Sequence, residues 1–198
     1  MQSVFSKLSL SLVVTSTLMM TGCQSLKPVE NIAPTPITPS LTTPENEFAL
    51  QGKIGVKTPK QSGSAFFTWQ QQQEDFEIEL SGILGVGKTQ ISGSSGQITL
   101  NSAKTGLISA DTPEELLERA TGWQAPITHL VDWVQAHPAT AEAQVSRDEQ
   151  QRPQQILEDG WTVNLTYNDN AILPNKLILK QALESNQENR ITMIIQNR

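Results

Sequence analysis

The stretch from Gly82 to Thr89 has the sequence GILGVGKT and satisfies the GxxxxGKT pattern of a phosphate-binding P-loop. In such a loop a buried parallel strand precedes the glycines, and a helix follows with its amides facing the phosphates. Here Asp75, Glu77 and Glu79 alternate with apolar residues before the motif, and Ser and Gly dominate after it. Both patterns indicate exposed hairpin strands, so we interpret the match as a coincidence and expect no nucleotide or other cofactor.

The two histidines, His129 and His137, are the other candidates for chemistry. A histidine acts as a general base only beside a nucleophile and an orienting acid. The GxSxG motif of acyl hydrolases is absent, as is any His or Cys cluster with metal-site spacing. The protein is therefore predicted not to be an enzyme, and an acyl hydrolase is kept only as the least favoured alternative.

Cys23 is the only cysteine, and it follows Lys7 and an apolar run from Leu8 to Met20. A basic residue before a short apolar run is the layout of a secretory signal peptide, and roughly 20 apolar residues are needed to span a bilayer. The residues MTGC that end at Cys23 resemble the lipobox of bacterial lipoproteins. We expect a signal peptide over 1–22, an acylated Cys23, and sorting to the periplasmic face of the outer membrane, since Gln24 rather than Asp follows.

Residues 23–46 are rich in Pro, Thr and Ser, which favours an extended tether, and residues 47–198 suffice for one domain. The formal net charge is −6. An acidic chain argues against nucleic acid as a partner and against attraction to anionic lipid head groups by bulk charge.

From Phe48 onward apolar and polar residues alternate in short runs separated by Gly, Ser, Asn and Lys. Alternation predicts strands with one buried face, and the short spacing favours antiparallel hairpins. Two helices are predicted in the middle of the chain. After them, further strands are predicted at roughly 139–146, 153–158, 161–167, 175–181 and 190–196.

The first helix is predicted to begin after Thr112, which with Glu115 forms a capping-box pair, and to end at Gly122. The second is predicted over 126–136. About eleven strands with helices after the sixth indicate an α+β fold, a curved antiparallel sheet whose inner face the helices cover. A cavity between them could hold lipid, or side chains alone could fill it.

Ile83, Leu84 and Val86 stand at a hairpin tip, where turn chemistry favours polar residues. They either pack under the turn or dip into the membrane. Burial of a leucine contributes about 1.5 to 3 kcal/mol, which suits transient contact rather than permanent anchoring.

A set of short motifs, taken in order, resembles the LolB family of outer-membrane lipoprotein receptors over essentially the whole mature domain. The motifs are GKIGV at 52–56, AFFTWQ at 65–70, ILG at 83–85, the EELL helix, GW at 122–123, LxxW at 130–133 and GW at 160–161.

The resemblance implies an unclosed antiparallel β-barrel with a helical lid over an apolar cavity. It also implies a receptor that accepts lipoproteins from the periplasmic carrier LolA, holds their acyl chains and inserts them into outer-membrane phospholipid without ATP. Leu84 matches the family's protruding loop leucine. The expected cavity residues are Phe67, Trp69, Phe76, Ile78, Leu130, Trp133 and Trp161. We expect a monomer; the main alternative is a structural outer-membrane lipoprotein with a packed core.

Overall fold

A computed structural model describes residues 46–82, 87–94 and 96–198 of the chain. The predicted signal peptide, Cys23, all of the tether except its last residue, and the tip residues Ile83, Leu84 and Val86 lie outside these ranges. The described elements are β1 (Glu47–Lys57), β2 (Ser62–Gln72), β3 (Asp75–Ser81), β4 (Lys88–Ser94), β5 (Gln97–Ser102), β6 (Gly106–Ala110), α1 (Pro113–Thr121), α2 (Leu130–Trp133), β7 (Gln144–Arg147), β8 (Pro153–Glu158), β9 (Trp161–Thr166), β10 (Lys176–Ala182) and β11 (Glu188–Asn197).

All eleven strands form one antiparallel sheet in the order β6-β5-β4-β3-β2-β1-β11-β10-β9-β8-β7. Strands that follow one another in the chain lie side by side, except at the helical connection between β6 and β7. The first and last strands pair in the middle of the sheet, and β6 and β7 form its two edges. The predicted unclosed antiparallel architecture, with about eleven strands and helices after the sixth, is confirmed.

The strand register brings the apolar residues to one face, here called the inner face. Leu50 of β1 lies opposite Trp69 of β2, which lies opposite Ile78 of β3. Along most of β2 the burial pattern alternates residue by residue, as the twofold repeat of a strand requires. The alternation detected in the sequence therefore identified the buried face correctly.

Two apolar clusters cover the inner face. The larger one joins β1, β2 and β8 to β11 with residues 125–136 of the helical connection. The smaller one consists of Ile98, Leu100, Ala110 and Leu116, and it places α1 on β5 and β6. The helical connection thus packs against the two halves of the sheet with two different segments.

The signals at the ends of α1 act as predicted. The backbone nitrogen of Glu115 donates to Thr112 Oγ1 at 3.2 Å, and Pro113 occupies the first turn. Gly122 ends the helix with φ of 70°, a left-handed conformation that glycine adopts without strain.

The second helix was predicted too long. Instead of 126–136, α2 comprises only Leu130–Trp133, because the bonds before and after it close tighter turns. The nitrogen of Leu130 donates to the carbonyl of Ile127, that of Gln135 donates to Asp132, and Ala136 has φ of 63°.

The strand predicted over 139–146 is also wrong in its first half, since β7 begins at Gln144. The backbone nitrogens of Ala139 and Thr140 donate to the carboxylate of Glu158 instead of joining a strand ladder. This side chain therefore determines the path of the segment.

Candidate functional site

The expected cavity residues gather on the inner face and on α2. Phe67, Trp69 and Trp161 project from β2 and β9, and all three are buried in the larger cluster together with Leu130 and Trp133 of α2. Half-buried Ile78 packs against that cluster, whereas half-buried Phe76 belongs to the smaller one. Six of the seven expected residues thus come together, and Phe76 belongs to the neighbouring cluster.

Trp69 is fixed from two sides. Its ring meets that of Phe48 edge to face, with centroids 5.0 Å apart, and its indole nitrogen donates to Gln71 Oε1 at 2.9 Å. Gln71 is buried and passes a further hydrogen bond to the carbonyl of Gln73. A buried N–H needs such an acceptor, so this corner of the cluster is complete without a ligand.

Two glycines make room for aromatic rings on the inner face. Gly52 lies directly opposite Phe67, and Gly93 lies directly opposite Phe76. A Cβ atom on Gly52 would stand 1.9 Å from the carbonyl oxygen of Ile194, and one on Gly93 would stand 2.9 Å from the ring of Phe76. The GKIGV motif at 52–56 therefore begins with a residue that close packing restricts to glycine.

Glu158, at the end of β8, ties the helical segment (residues 123–140) to the sheet. Its buried carboxylate accepts the indole N–H of Trp133, the backbone N–H groups of Ala139 and Thr140, and the hydroxyl of Thr140. Burial by itself raises the pKa of this carboxyl group, but hydrogen bonds from Trp133, Ala139 and Thr140 outweigh it and lower the pKa below its ordinary value. The carboxylate is therefore ionised and fully engaged at neutral pH.

Sequence analysis did not single out Glu158. The signal was present, because Ile156 and Glu158 occupy the same parity of an alternating strand, where a charged residue faces the core. A buried carboxylate needs several donors, and its position therefore could have indicated a contact with the helices.

Two further side chains lie between the helical segment and the sheet. His129 Nδ1 lies 3.5 Å from Asp159 Oδ2 in the β8–β9 turn, and the imidazole meets the Trp133 ring edge to face at 5.5 Å. The guanidinium of Arg198 donates to the carbonyls of Val134 and Pro174 at 2.7 Å. Arg198 thus ties the segment to the sheet just after α2, whereas His129 Nδ1 makes no hydrogen bond within the described residues.

A row of half-buried apolar side chains continues from the larger cluster. Ile54 and Val56 lie late in β1, and Leu80 lies late in β3. Because β1 and β3 run in the same direction, this apolar rim (Ile54, Val56 and Leu80) lies at the end of the sheet where β3 ends and β4 begins. At the rim, apolar surface of the inner face remains partly open.

A groove of about 600 Å³ lies elsewhere, on the outer face of β2 to β5. Its lining side chains are mainly amides, hydroxyls and carboxylates, namely Gln70, Gln72, Asp75, Glu77, Ser92, Ser94, Gln97 and Thr99. Such a surface suits polar contacts and not hydrocarbon, so the groove is distinct from the expected acyl site.

The P-loop interpretation fails in three dimensions. Lys88 and Thr89 begin β4, an antiparallel strand paired with β3, and not a helix. Lys88 Nζ lies 2.5 Å from Glu79 Oε2 on the outer face. The lysine is therefore paired with a carboxylate of the neighbouring strand.

Within the described ranges, no three His, Cys, Asp or Glu side chains come close enough together to hold a metal ion. In the same part of the chain, no helix has the length and apolar character needed to cross a bilayer.

Comparison with known proteins decides the family. A family model described as "Outer membrane lipoprotein LolB" matches residues 46–197, which include the whole sheet and the helical segment. The chain belongs to the LolB family. Its relatives include the Outer-membrane lipoprotein LolB of Stutzerimonas stutzeri strain A1501, which is 33% identical over 190 residues, 91% of this chain and 90% of that protein. The family places the protein at the outer membrane as a lipoprotein.

Other relatives match a shorter part of the chain. The Outer-membrane lipoprotein LolB of Pseudomonas savastanoi pv. phaseolicola is 39% identical over 117 residues, 59% of this chain and 57% of that protein. Among solved structures, a LolA superfamily protein from Nitrosomonas europaea is 12% identical, with a TM-score of 0.46, and the match covers 78% of this chain and 88% of that one.

Proposed function

We propose that the protein accepts lipoproteins from the periplasmic carrier LolA, holds their acyl chains between the inner face of the sheet and the helical segment, and inserts them into the outer membrane without ATP. The general role, a lipoprotein receptor of the Lol pathway, follows from the family. The acyl site, the insertion step and the residues assigned to each are our proposal.

The observation that supports it best is the continuous apolar inner face that leads to the apolar rim. Trp161 and Trp69 are buried within it, and Ile54, Val56 and Leu80 extend it to a partly open end. An acyl chain that moves along this surface stays out of water. Each buried methylene contributes about 0.8 kcal/mol, so a long chain cannot cross water unshielded at a useful rate.

Transfer through such a site is passive. The proposed acyl site accepts the chains if it binds them more favourably than the carrier does. The bilayer then takes the chains because it buries them more completely than the acyl site. The free energy of the acyl chains decreases at each transfer, because more of their apolar surface is removed from water, so no nucleotide is consumed.

The remaining parts of the chain have separate roles in this function. Residues 1–22 direct export, acylated Cys23 anchors the protein, and residues 23–46 tether the domain formed by residues 47–198. Ile83, Leu84 and Val86, between β3 and β4 in the sequence, touch outer-membrane phospholipid. The protein acts as a monomer.

A second candidate function is a structural outer-membrane lipoprotein with a packed core. It is favoured by the complete burial of Trp133 and Val134, whose side chains fill the space between the helical segment and the sheet. Under this alternative the helical segment stays closed, and the inner face binds no chain.

The two candidates separate in a transfer experiment. The LolA–lipoprotein complex is mixed with liposomes and with an unacylated Cys23→Ala form of the protein, and the cargo is followed by cross-linking to the receptor and by flotation with the liposomes. We compare the parent with an added Leu84→Glu change and with Leu107→Glu, a matched control on the outer face of β6, where Leu107 is 71% exposed.

We expect all three proteins to accept cargo from the carrier, and only the Leu84→Glu variant to fail in delivery to the liposomes. Acceptance by none of them would leave the structural candidate. Equal delivery by the Leu84 and Leu107 variants would show that the loop is not the insertion element.

A further inference from the structure

Trp123 follows the glycine that ends α1 and starts the helical segment. Its side chain is half-buried and packs against the larger apolar cluster, where its ring meets that of Trp161 edge to face with centroids 6.4 Å apart. Sequence analysis used Trp123 only as part of a family motif. The structure gives it a distinct position, beside a buried tryptophan of the proposed acyl site.

The indole nitrogen of Trp123 is buried, yet it has no hydrogen-bond partner among the residues that the structure describes. The indole nitrogens of Trp69 and Trp133 differ, since each donates to a side-chain oxygen, on Gln71 and Glu158 respectively. A buried N–H without an acceptor costs free energy, and unsatisfied groups of this kind are few in folded proteins. The donor of Trp123 is therefore uncommitted, whereas the donors of Trp69 and Trp133 are engaged within the protein.

Hydrocarbon cannot accept this hydrogen bond. The atoms of a lipidated cysteine that can accept it inside an apolar site are the carbonyl oxygens of the ester and amide bonds that join the acyl chains to the head. We propose that Trp123 Nε1 donates to an acyl carbonyl oxygen of the bound chain. This inference rests on the proposed function, and it adds a contact that recognises acyl groups as distinct from apolar chains in general.

The contact would also fix how deep the chains lie. A hydrogen bond at the carbonyl holds the head of the lipid next to Trp123 and Trp161, and the chain beyond it lies along the inner face. Trp123 is then a specificity-determining residue, because a ligand that lacks the carbonyl loses the hydrogen bond and leaves the donor unpaired.

The test compares ligands that differ only at this oxygen. A diacyl lipopeptide with ester bonds and its dialkyl ether analogue compete with a fluorescent fatty-acyl probe for the Cys23→Ala form of the mature chain. The parent is expected to bind the ester about three- to tenfold more tightly than the ether, the range of one net hydrogen bond. Trp123→Phe should lose this preference and bind ester and ether with equal affinity.

Trp69→Phe is the matched control, because the Trp69 donor is already occupied by Gln71 at 2.9 Å. It should change the affinity for ester and ether by the same factor. Thermal unfolding without ligand gives a second measurement: both substitutions lose ring contacts, but only Trp69→Phe also leaves Gln71 without its donor, so Trp69→Phe should lower the midpoint more than Trp123→Phe. A drop for Trp123→Phe that exceeds the drop for Trp69→Phe would indicate that the N–H of Trp123 has a partner within the protein, which contradicts the inference.

A short-chain diacyl phospholipid and its ether analogue form a further pair. Ester preference for the lipopeptide alone assigns the contact to the cargo, and the same preference for the phospholipid extends it to membrane lipid. If the parent binds no ligand at all, the proposed acyl site is wrong. If it binds ester and ether equally, and Trp123→Phe lowers both alike, the acyl site stands and the carbonyl contact is overturned.

Discussion

The indole nitrogen of Trp133 donates a hydrogen bond to the carboxylate of Glu158, 25 residues further along the chain. Both residues are buried. The same carboxylate accepts hydrogen bonds from Ala139 and Thr140, so one side chain of β8 fixes the helical segment before and after its turn at Ala136. Removal of one member of such a network leaves the others without partners in a place that water does not reach freely.

Replacement of Glu158 by Gln should destabilise the protein. An amide keeps the shape of the side chain but turns one acceptor oxygen into a donor that faces the N–H groups of Ala139 and Thr140. We expect the free energy of unfolding to fall by about 1.5 to 3 kcal/mol, the range for hydrogen bonds to a charged group. Chemical denaturation measures it, with the exposed Glu142→Gln as control, for which a change within about 0.5 kcal/mol is expected. Equal effects of the two substitutions would contradict the assignment.

The same network predicts how stability depends on pH. The pKa of Glu158 is lower in the folded protein than its ordinary value of 4.5, so above pH 4.5 its contribution to stability is complete. Below pH 4.5 the carboxyl group of the unfolded chain takes up a proton while that of the folded protein is still ionised. The contribution of Glu158 to stability therefore decreases, and it is gone once the folded group is protonated as well. The difference in free energy of unfolding between parent and Glu158→Gln should stay constant from pH 7 to 5 and shrink below 4.5. A difference that does not change with pH would sink this prediction.

Access to the inner face should change in the same variant. If the helical segment acts as a lid, a weaker Trp133–Glu158 contact raises the fraction of molecules that are open, and with it the apparent affinity for a lipophilic dye. We expect Glu158→Gln to bind the dye more tightly than the parent in fluorescence titrations at neutral pH, and Glu142→Gln to match the parent. Unchanged dye binding by a folded Glu158→Gln protein would favour the packed core of a structural lipoprotein.

Gly52 and Gly55 of β1 should respond in opposite ways to alanine. A methyl group on Gly52 meets the carbonyl oxygen of Ile194 at 1.9 Å and the ring of Phe67 at 3.0 Å, whereas one on Gly55 has only Gly63 O at 3.8 Å. Gly52→Ala should lower the free energy of unfolding by about 3 kcal/mol, at the upper end of the range for overpacking. Gly55→Ala should leave it unchanged or raise it by up to about 1 kcal/mol, since alanine suits a strand better than glycine. Thermal unfolding of the two variants side by side gives the comparison.

Local patterns predicted the strands well, because a strand buried on one face has a period of two that no other element shares. The strand predicted over 153–158 coincides with β8. The strand predicted over 161–167 ends one residue after β9, and the strand predicted over 175–181 begins and ends one residue before β10. The start and end of α1 were equally local, since Thr112, Glu115 and Gly122 form the cap within one short segment.

The parts that could not be predicted depend on residues far apart in the chain. The late start of β7 follows from a carboxylate on β8, which no window around residues 139–146 contains. The pairing of Gly52 with Phe67 can be guessed from a hairpin, but its contact with Ile194 requires the first and last strands to be neighbours. That Trp123 Nε1 lacks an acceptor can be recognised only in the folded structure, because it depends on where every nearby acceptor lies.

The pairing of β1 with β11 also bears on the order in which the molecule can be assembled. An exported chain emerges from its amino-terminal end, so β1 to β6 can form their hairpins long before β11 arrives. Asn197 reaches Gln51 across 146 residues of sequence. Until then one side of β1 is an open row of backbone donors and acceptors, to which any passing extended segment can add. The seam in the middle of the sheet therefore cannot close before β11 has been exported, and β1 stays open to other extended segments during that interval.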